Sequence, residues 1–227
     1  AIVLHGVDLA ASAARELDGT IEARGTAVGA GSEIELKGLM DLRQMRLGDR
    51  LVRGIRGELS KKASESVLSC DNIEAAMYGG HASGSLQIQF EAGRTTYGLS
   101  IAMRDVSLLE FLEAGRKGQA TPVKAQGIIG GTMFLEGTFG ETQSRQGAGS
   151  IRIDRAQVMK IPLFLAVLGA IHAAPMDENA FNEGTADFVL QGNQLTLSTI
   201  DLRGTSVSLV GAGSMNTATE QLEVTLV

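Results

Sequence analysis

The side chains that could do chemistry are few and far apart. Across 227 residues there are three histidines, His5, His81 and His172, and one cysteine, Cys70. A metal-binding or general-base histidine needs a carboxylate, thiolate or second imidazole at ligand spacing, and these three have none. Cys70 has no neighbouring histidine or cation to lower its pKa, so a small buried hydrophobe is expected. Gly79-Gly80 and Gly130-Gly131 lack the Lys-Ser/Thr of a phosphate loop and the strand-to-helix step of a dinucleotide site. No Gly-x-Ser-x-Gly elbow occurs, and Asp177-Glu178 reads as a solvated turn. The sequence therefore predicts no catalytic residue, no metal site and no cofactor.

The elements that would carry any site are strands. Gly-Ala-Gly-Ser occurs three times, at Gly29–Ser32, Gly147–Ser150 and Gly211–Ser214, each beside an alternating apolar/polar run. Glycine marks turns and period-two alternation marks strands with one buried face, so the expectation is repeated hairpins of one antiparallel sheet. Composition agrees: 29 Gly, no Trp, two Tyr and three Pro suit many strands and turns. The net charge of −6, interspersed signs and scarce aromatics exclude a nucleic-acid platform. The single cysteine excludes an internal disulfide. The chain starts at Ala1 without a basic leader and ends on a strand-like run, which suggests a piece of a longer polypeptide.

Along the chain, the segment 1–66 reads as short strands and charged turns, belonging to the same sheet as 67–227. Ser60 to Ser66 and Glu141 to Gly147 read as polar loops, Val67 to Met77 as a strand. Leu86, Ile88 and Phe90 share one face of the cleanest strand, with Gln87, Gln89 and Glu91 on the other. Thr96 to Met103 is its expected neighbour. Asp105 to Ala114 changes period, with Asp105 or Ser107 as cap and Leu108, Leu109, Phe111 and Leu112 as stripe. Strands follow at Ala125 to Ile129, Thr132 to Gly137 and Ser150 to Asp154. Four more are Ala186 to Leu190, Gln194 to Leu202, Ser206 to Val210 and Leu222 to Val227, with a hairpin turn at Asn193.

Ile161 to Met176 carries no charge, and Pro162 and Pro175 bracket a predicted second short helix. It is too short for a transmembrane span of about 20 residues. Ile161, Leu163, Phe164, Leu165, Val167, Leu168 and Ile171 would either plug the sheet's apolar side or contact a membrane surface. The remaining apolar rows are Leu135, Ile151/Ile153, Phe188/Leu190, Leu195/Leu197 and Val207/Leu209. A sheet with one apolar face must cover it with a helix, another sheet or a ligand.

Several phrases resemble the C-terminal region of AsmA-like proteins, a bacterial envelope family that includes the TamB relatives. They are Cys70 to Gly80 followed by Ala82-Ser83-Gly84, Tyr97 to Leu112, and Gly127 to Gly137. The longest runs from Gly147 to Val227, through Ile161-Pro162-Leu163, Phe181, Ala186-Asp187-Phe188, Asp201-Leu202-Arg203-Gly204 and Gly211-Ala212-Gly213. The resemblance covers about residues 67 to 227. It implies an elongated sheet curved into a half-pipe (a β-taco) with an apolar groove, in the periplasm. It also implies phospholipid movement between inner and outer membranes, anchored by a segment outside this chain. On that basis the rows above are groove candidates, with phospholipid acyl chains, the outer-membrane surface or an envelope protein as partners. A scaffold that binds proteins through its sheet edges is the other reading.

Overall fold

The computed structural model describes residues 2–8, 17–29, 33–47, 50–114, 126–155, 181–204, 208–219 and 221–226. They form thirteen strands of a single antiparallel sheet, ordered in space as in sequence. The first seven are β1 (Ile2–Asp8), β2 (Leu17–Val28), β3 (Glu35–Leu47), β4 (Arg50–Lys61), β5 (Val67–Met77), β6 (Gly80–Glu91) and β7 (Arg94–Ser107). A one-helix interruption, α1 (Leu108–Ala114), precedes β8 (Ile128–Thr138) and β9 (Glu141–Asp154). The rest are β10 (Glu183–Gln191), β11 (Gln194–Arg203), β12 (Ser208–Asn216) and β13 (Gln221–Leu226). β4 pairs with β5, so the sheet runs unbroken across the 66/67 boundary.

Residues directly opposite in adjacent antiparallel strands share a face. The pairs Cys70↔Leu86, Leu86↔Leu99 and Leu99↔Leu135 therefore put four apolar side chains on one face of β5 to β8. Leu135↔Gly147, Gly147↔Leu190, Leu190↔Leu195 and Leu195↔Met215 carry the row on to β12. Gln87, Glu136 and Gln146 lie on the opposite face. The sheet has one apolar and one polar side throughout its described middle.

Strict alternation does not hold along every strand, and bulges repair it. In β5 the apolar residues Cys70 and Ile73 are three apart, and the pairing shifts between them. Asn72 absorbs the extra residue with a left-handed φ of 51°. Met103 and Val106 of β7 show the same spacing and a shift, with Asp105 at φ 57°. Leu197 and Ile200 of β11 do so again, opposite β12. A bulge opposes two residues to one and so restores the phase of the following side chains. Asp105 is therefore a bulge residue of β7 rather than a helix cap. The cap is Ser107, whose Oγ accepts from the Glu110 N–H at 3.4 Å.

Other expectations are corrected by the pairing. Glu141 to Gly147 is the start of β9, not a loop. The turn at Phe139-Gly140 (Gly140 φ 82°) returns the chain against β8, and Ser144 Oγ accepts the Thr138 N–H at 2.7 Å. Gly130-Gly131 does not divide β8, and the strands of the first 60 residues are long rather than short. β4 extends through Lys61, so the loop after it begins later than Ser60. The Gly-Ala-Gly-Ser copies at 147–150 and 211–214 mark no turn, being internal to β9 and β12. Their glycines lie on the apolar face opposite large partners, Gly149 beside Phe188 and Gly213 beside Leu197. Glycine gives the larger residue room. Residues 30–32 of the first copy, and the predicted helix from Ile161 to Met176, lie outside the described residues. The described chain has one helix, α1.

Glycines on the two faces differ in a telling way. A Cβ at Gly84, Gly131, Gly149 or Gly213, all on the apolar face, would collide with the carbonyl oxygens of Ser100, Ser150, Thr132 and Glu223. On the polar face, Gly98 has nothing within 4 Å of such a Cβ and Gly130 meets only the Met103 carbonyl at 3.4 Å. Adding Val at Gly149 would also bring its Cβ to 2.6 Å from the Phe188 ring. We expect Gly149→Val to destabilise the protein by about 1–3 kcal/mol, as overpacking does. Gly98→Ala should be neutral or stabilise by up to about 1 kcal/mol, because only the unfolded chain loses freedom. Urea unfolding midpoints of the two variants check the difference.

Candidate functional site

The apolar face carries most of the groove candidates together. Leu86, Ile88, Phe90, Leu135, Ile151, Ile153, Phe188, Leu190, Leu195, Leu197 and Leu209 all lie on it, linked through the pairings Ile151↔Ala186, Phe188↔Leu197 and Leu202↔Leu209. Val207 and the seven helix positions from Ile161 to Ile171 lie outside the described residues. Several side chains missed in the sequence belong to the same surface, among them Tyr97, Leu99, Ile101, Met103 and Met133. Tyr97, Leu99, Ile101 and Met103 alternate strictly along β7, and that period of two was the signal that could have found them.

Burial is uneven over this face. Along one rim, Val106, Ile129 and Leu202 pack with Leu108 of α1 and with Phe181, which is 1% exposed. Leu109, Phe111 and Leu112 of α1 lie against the same cluster, so α1 covers this rim. A second cluster on β3 to β6 buries Leu42, Ile55 and Ala75. The middle and far parts are half-buried, and Ile151 at 38% and Phe90 at 47% are their most exposed apolar side chains. The result is an apolar floor bordered by a covered rim. The polar side also shows apolar side chains, such as Phe134 and Val189, among Thr132, Ser150 and Asp187.

Tyr78 ties the covered rim together. It occupies the β5–β6 turn with Gly79, both at positive φ (46° and 77°), where a bulky side chain is strained. Its hydroxyl accepts the Leu51 N–H at 2.9 Å and its carbonyl accepts the Ser107 N–H at 2.9 Å. Its ring meets Phe111 edge-on, with centroids 6.0 Å apart. One residue thus joins β4, the end of β7 and α1. Tyr78→Phe keeps the ring contact and orphans the Leu51 N–H, so a loss of about 1 kcal/mol is expected in denaturant unfolding. Tyr78→Ala should in addition speed hydrogen exchange of the α1 amides.

The titratable groups among the described residues stand mostly apart from one another. No group of three His, Cys, Asp or Glu side chains suited to a metal occurs among the described residues. His81 stands exposed at the start of β6, and His172 and the side chain of His5 lie outside what the structure describes. Arg203 hydrogen-bonds Asp201 at 2.7 Å and holds its carboxyl below the usual range, an exposed ion pair of the polar face. Arg152 likewise bonds Asp154 at 2.7 Å. Cys70 is 3% exposed, and burial, aided by the charge of Asp71, pushes its thiol up from 9.0 to about 11. It is a neutral thiol at ordinary pH, not a nucleophile.

The Cys70 shift has a pH signature. Folding favours the protonated thiol, so its stabilisation is complete below pH 9 and is lost as pH rises from about 9 towards 11. Unfolding free energy measured across that window should fall in the parent, and the fall should be smaller in Cys70→Ala. Labelling of the native thiol at pH 8 should be far slower than in urea.

No helix among the described residues is long and apolar enough to cross a membrane. No family model, curated protein or solved structure matches this chain.

Proposed function

We propose that this chain is a non-enzymatic segment of a bacterial envelope protein of the AsmA-like kind, which binds or conducts phospholipid along its apolar sheet face. The observation that carries the reading is the apolar floor continuing from β5 to β12, half-buried over most of its length and exposed at Phe90 and Ile151. Leaving such a surface in water is costly, and an acyl chain covers it with no directional bond. Each methylene withheld from water contributes about 0.8 kcal/mol, which is also the barrier a lipid meets when it leaves a bilayer. A groove that shields the chain lowers that barrier, and it needs no nucleophile, base or metal.

The sheet curls with its apolar face inward, as a half-pipe. Two features support this shape. Crowding of neighbouring backbone at Gly84, Gly131, Gly149 and Gly213 falls on the apolar side, where a coiled sheet brings its strands closest. Bulges at Asn72 and Asp105 add local twist. Seven inter-strand steps of about 4.8 Å from β5 to β12 give a floor on the order of 35 Å along the sheet. Such a conduit belongs in the periplasm, between the inner and outer membranes.

A second reading is favoured by the sheet's two ends. Among the described residues β1 pairs only with β2 and β13 only with β12, leaving edges that another chain could extend by strand addition. The scaffold and the conduit differ in what the purified protein carries.

Mass spectrometry of organic extracts separates them. The parent should carry phospholipid, Phe188→Asp should carry at least tenfold less because it places a charge on the floor, and Val189→Asp, one residue away on the polar face, should retain it. A folded parent without lipid sinks the conduit and leaves the edges as the place to seek partners.

A further inference from the structure

A cleft of about 520 Å³ wraps round the covered rim, between the β5–β6 turn, the start of β4 and α1. Its lining holds both signs of charge, the Arg53 guanidinium and the carboxylates of Glu110 and Glu113. Arg53 and His81 lie on the strand side, aligned on the polar face of the sheet through Arg53↔Ala76 and Ala76↔His81, close to the strand ends round which the cleft opens. Glu110 and Glu113, one helical turn apart on α1, form the facing wall. Arg104, paired with His81 in register, is the next residue of the same polar-face row on β7. Between the walls, Met77 and Tyr78 lead from the cleft to the apolar face.

We infer that this cleft holds the headgroup of a zwitterionic aminophospholipid such as phosphatidylethanolamine, an inference resting on the lipid reading above. A phosphodiester fits the Arg53 and His81 wall, since a guanidinium offers paired donors to phosphate oxygens. A primary ammonium fits the Glu110 and Glu113 wall and donates to carboxylate oxygens. The two groups sit a few bonds apart on one headgroup, as the two walls sit on one cleft. The acyl chains then pass over Met77 on to the floor. A purely anionic headgroup satisfies only the cationic wall and meets two carboxylates. A quaternary ammonium has the charge but no N–H to donate.

The test is competitive loading. The protein is incubated with vesicles of equal phosphatidylethanolamine and phosphatidylglycerol, re-isolated, and its lipid quantified by mass spectrometry. The parent should enrich phosphatidylethanolamine by roughly threefold to tenfold, the range expected of partly solvated charge contacts. Glu110→Gln with Glu113→Gln should return the ratio close to that of the vesicles with total lipid unchanged. Arg53→Gln should lower both lipids together, because the phosphate is common to them. Replacing phosphatidylethanolamine by phosphatidylcholine should abolish the enrichment. Lipid bound without enrichment, or an enrichment that survives the double variant, overturns the headgroup site and leaves the groove standing. A lipid-free parent overturns both.

Discussion

The structure depends on keeping strands in phase. Each strand must return its apolar residues to the same side as the last, since a slip of one residue would send a whole row to the polar face. Two-residue turns at Tyr78-Gly79 and Gly192-Asn193 set the register of their hairpins. Within strands, the positions where apolar residues fall three apart are corrected by bulges at Asn72, at Asp105 and between Leu197 and Ile200. Apolar floor, crowded glycines and covered rim all follow from that shared phase.

The same constraint explains what could be read beforehand. Leu86/Ile88/Phe90 and Phe188/Leu190 are legible because alternation is strict there, and a period of two admits one interpretation. Asp105 misleads because an acidic residue followed by a Leu-rich run looks like a helix start, and only pairing with β8 reveals it as an extra strand residue. Glu141 to Gly147 has no apolar row of its own, and its strand character comes from the neighbours on either side. The glycine repeats mislead for a related reason: a local reading sees a flexible backbone, whereas the cross-strand partner sees space. That Tyr78 would unite β4, β7 and α1 could not be read in one dimension, since its hydroxyl reaches a backbone amide 27 residues away.

What was legible of the candidate site was its chemistry rather than its plan. The burial of Cys70 agrees with its expected role as a small hydrophobe. The rim cleft was not legible, because it joins Arg53 of β4, His81 of β6 and two glutamates of α1 that no periodicity connects. Surfaces made by one element carry their signature in sequence, while those made by three do not.

Because every strand among the described residues pairs only with its neighbours in the chain, their pairing involves no distant closure. Loop-closure entropy stays small, so assembly can proceed hairpin by hairpin as the polypeptide emerges, much as solenoids grow by adding units. The same topology makes length a free variable. Removing or duplicating one antiparallel pair preserves both strand direction and facing, so such a molecule can change its reach without redesigning its interior.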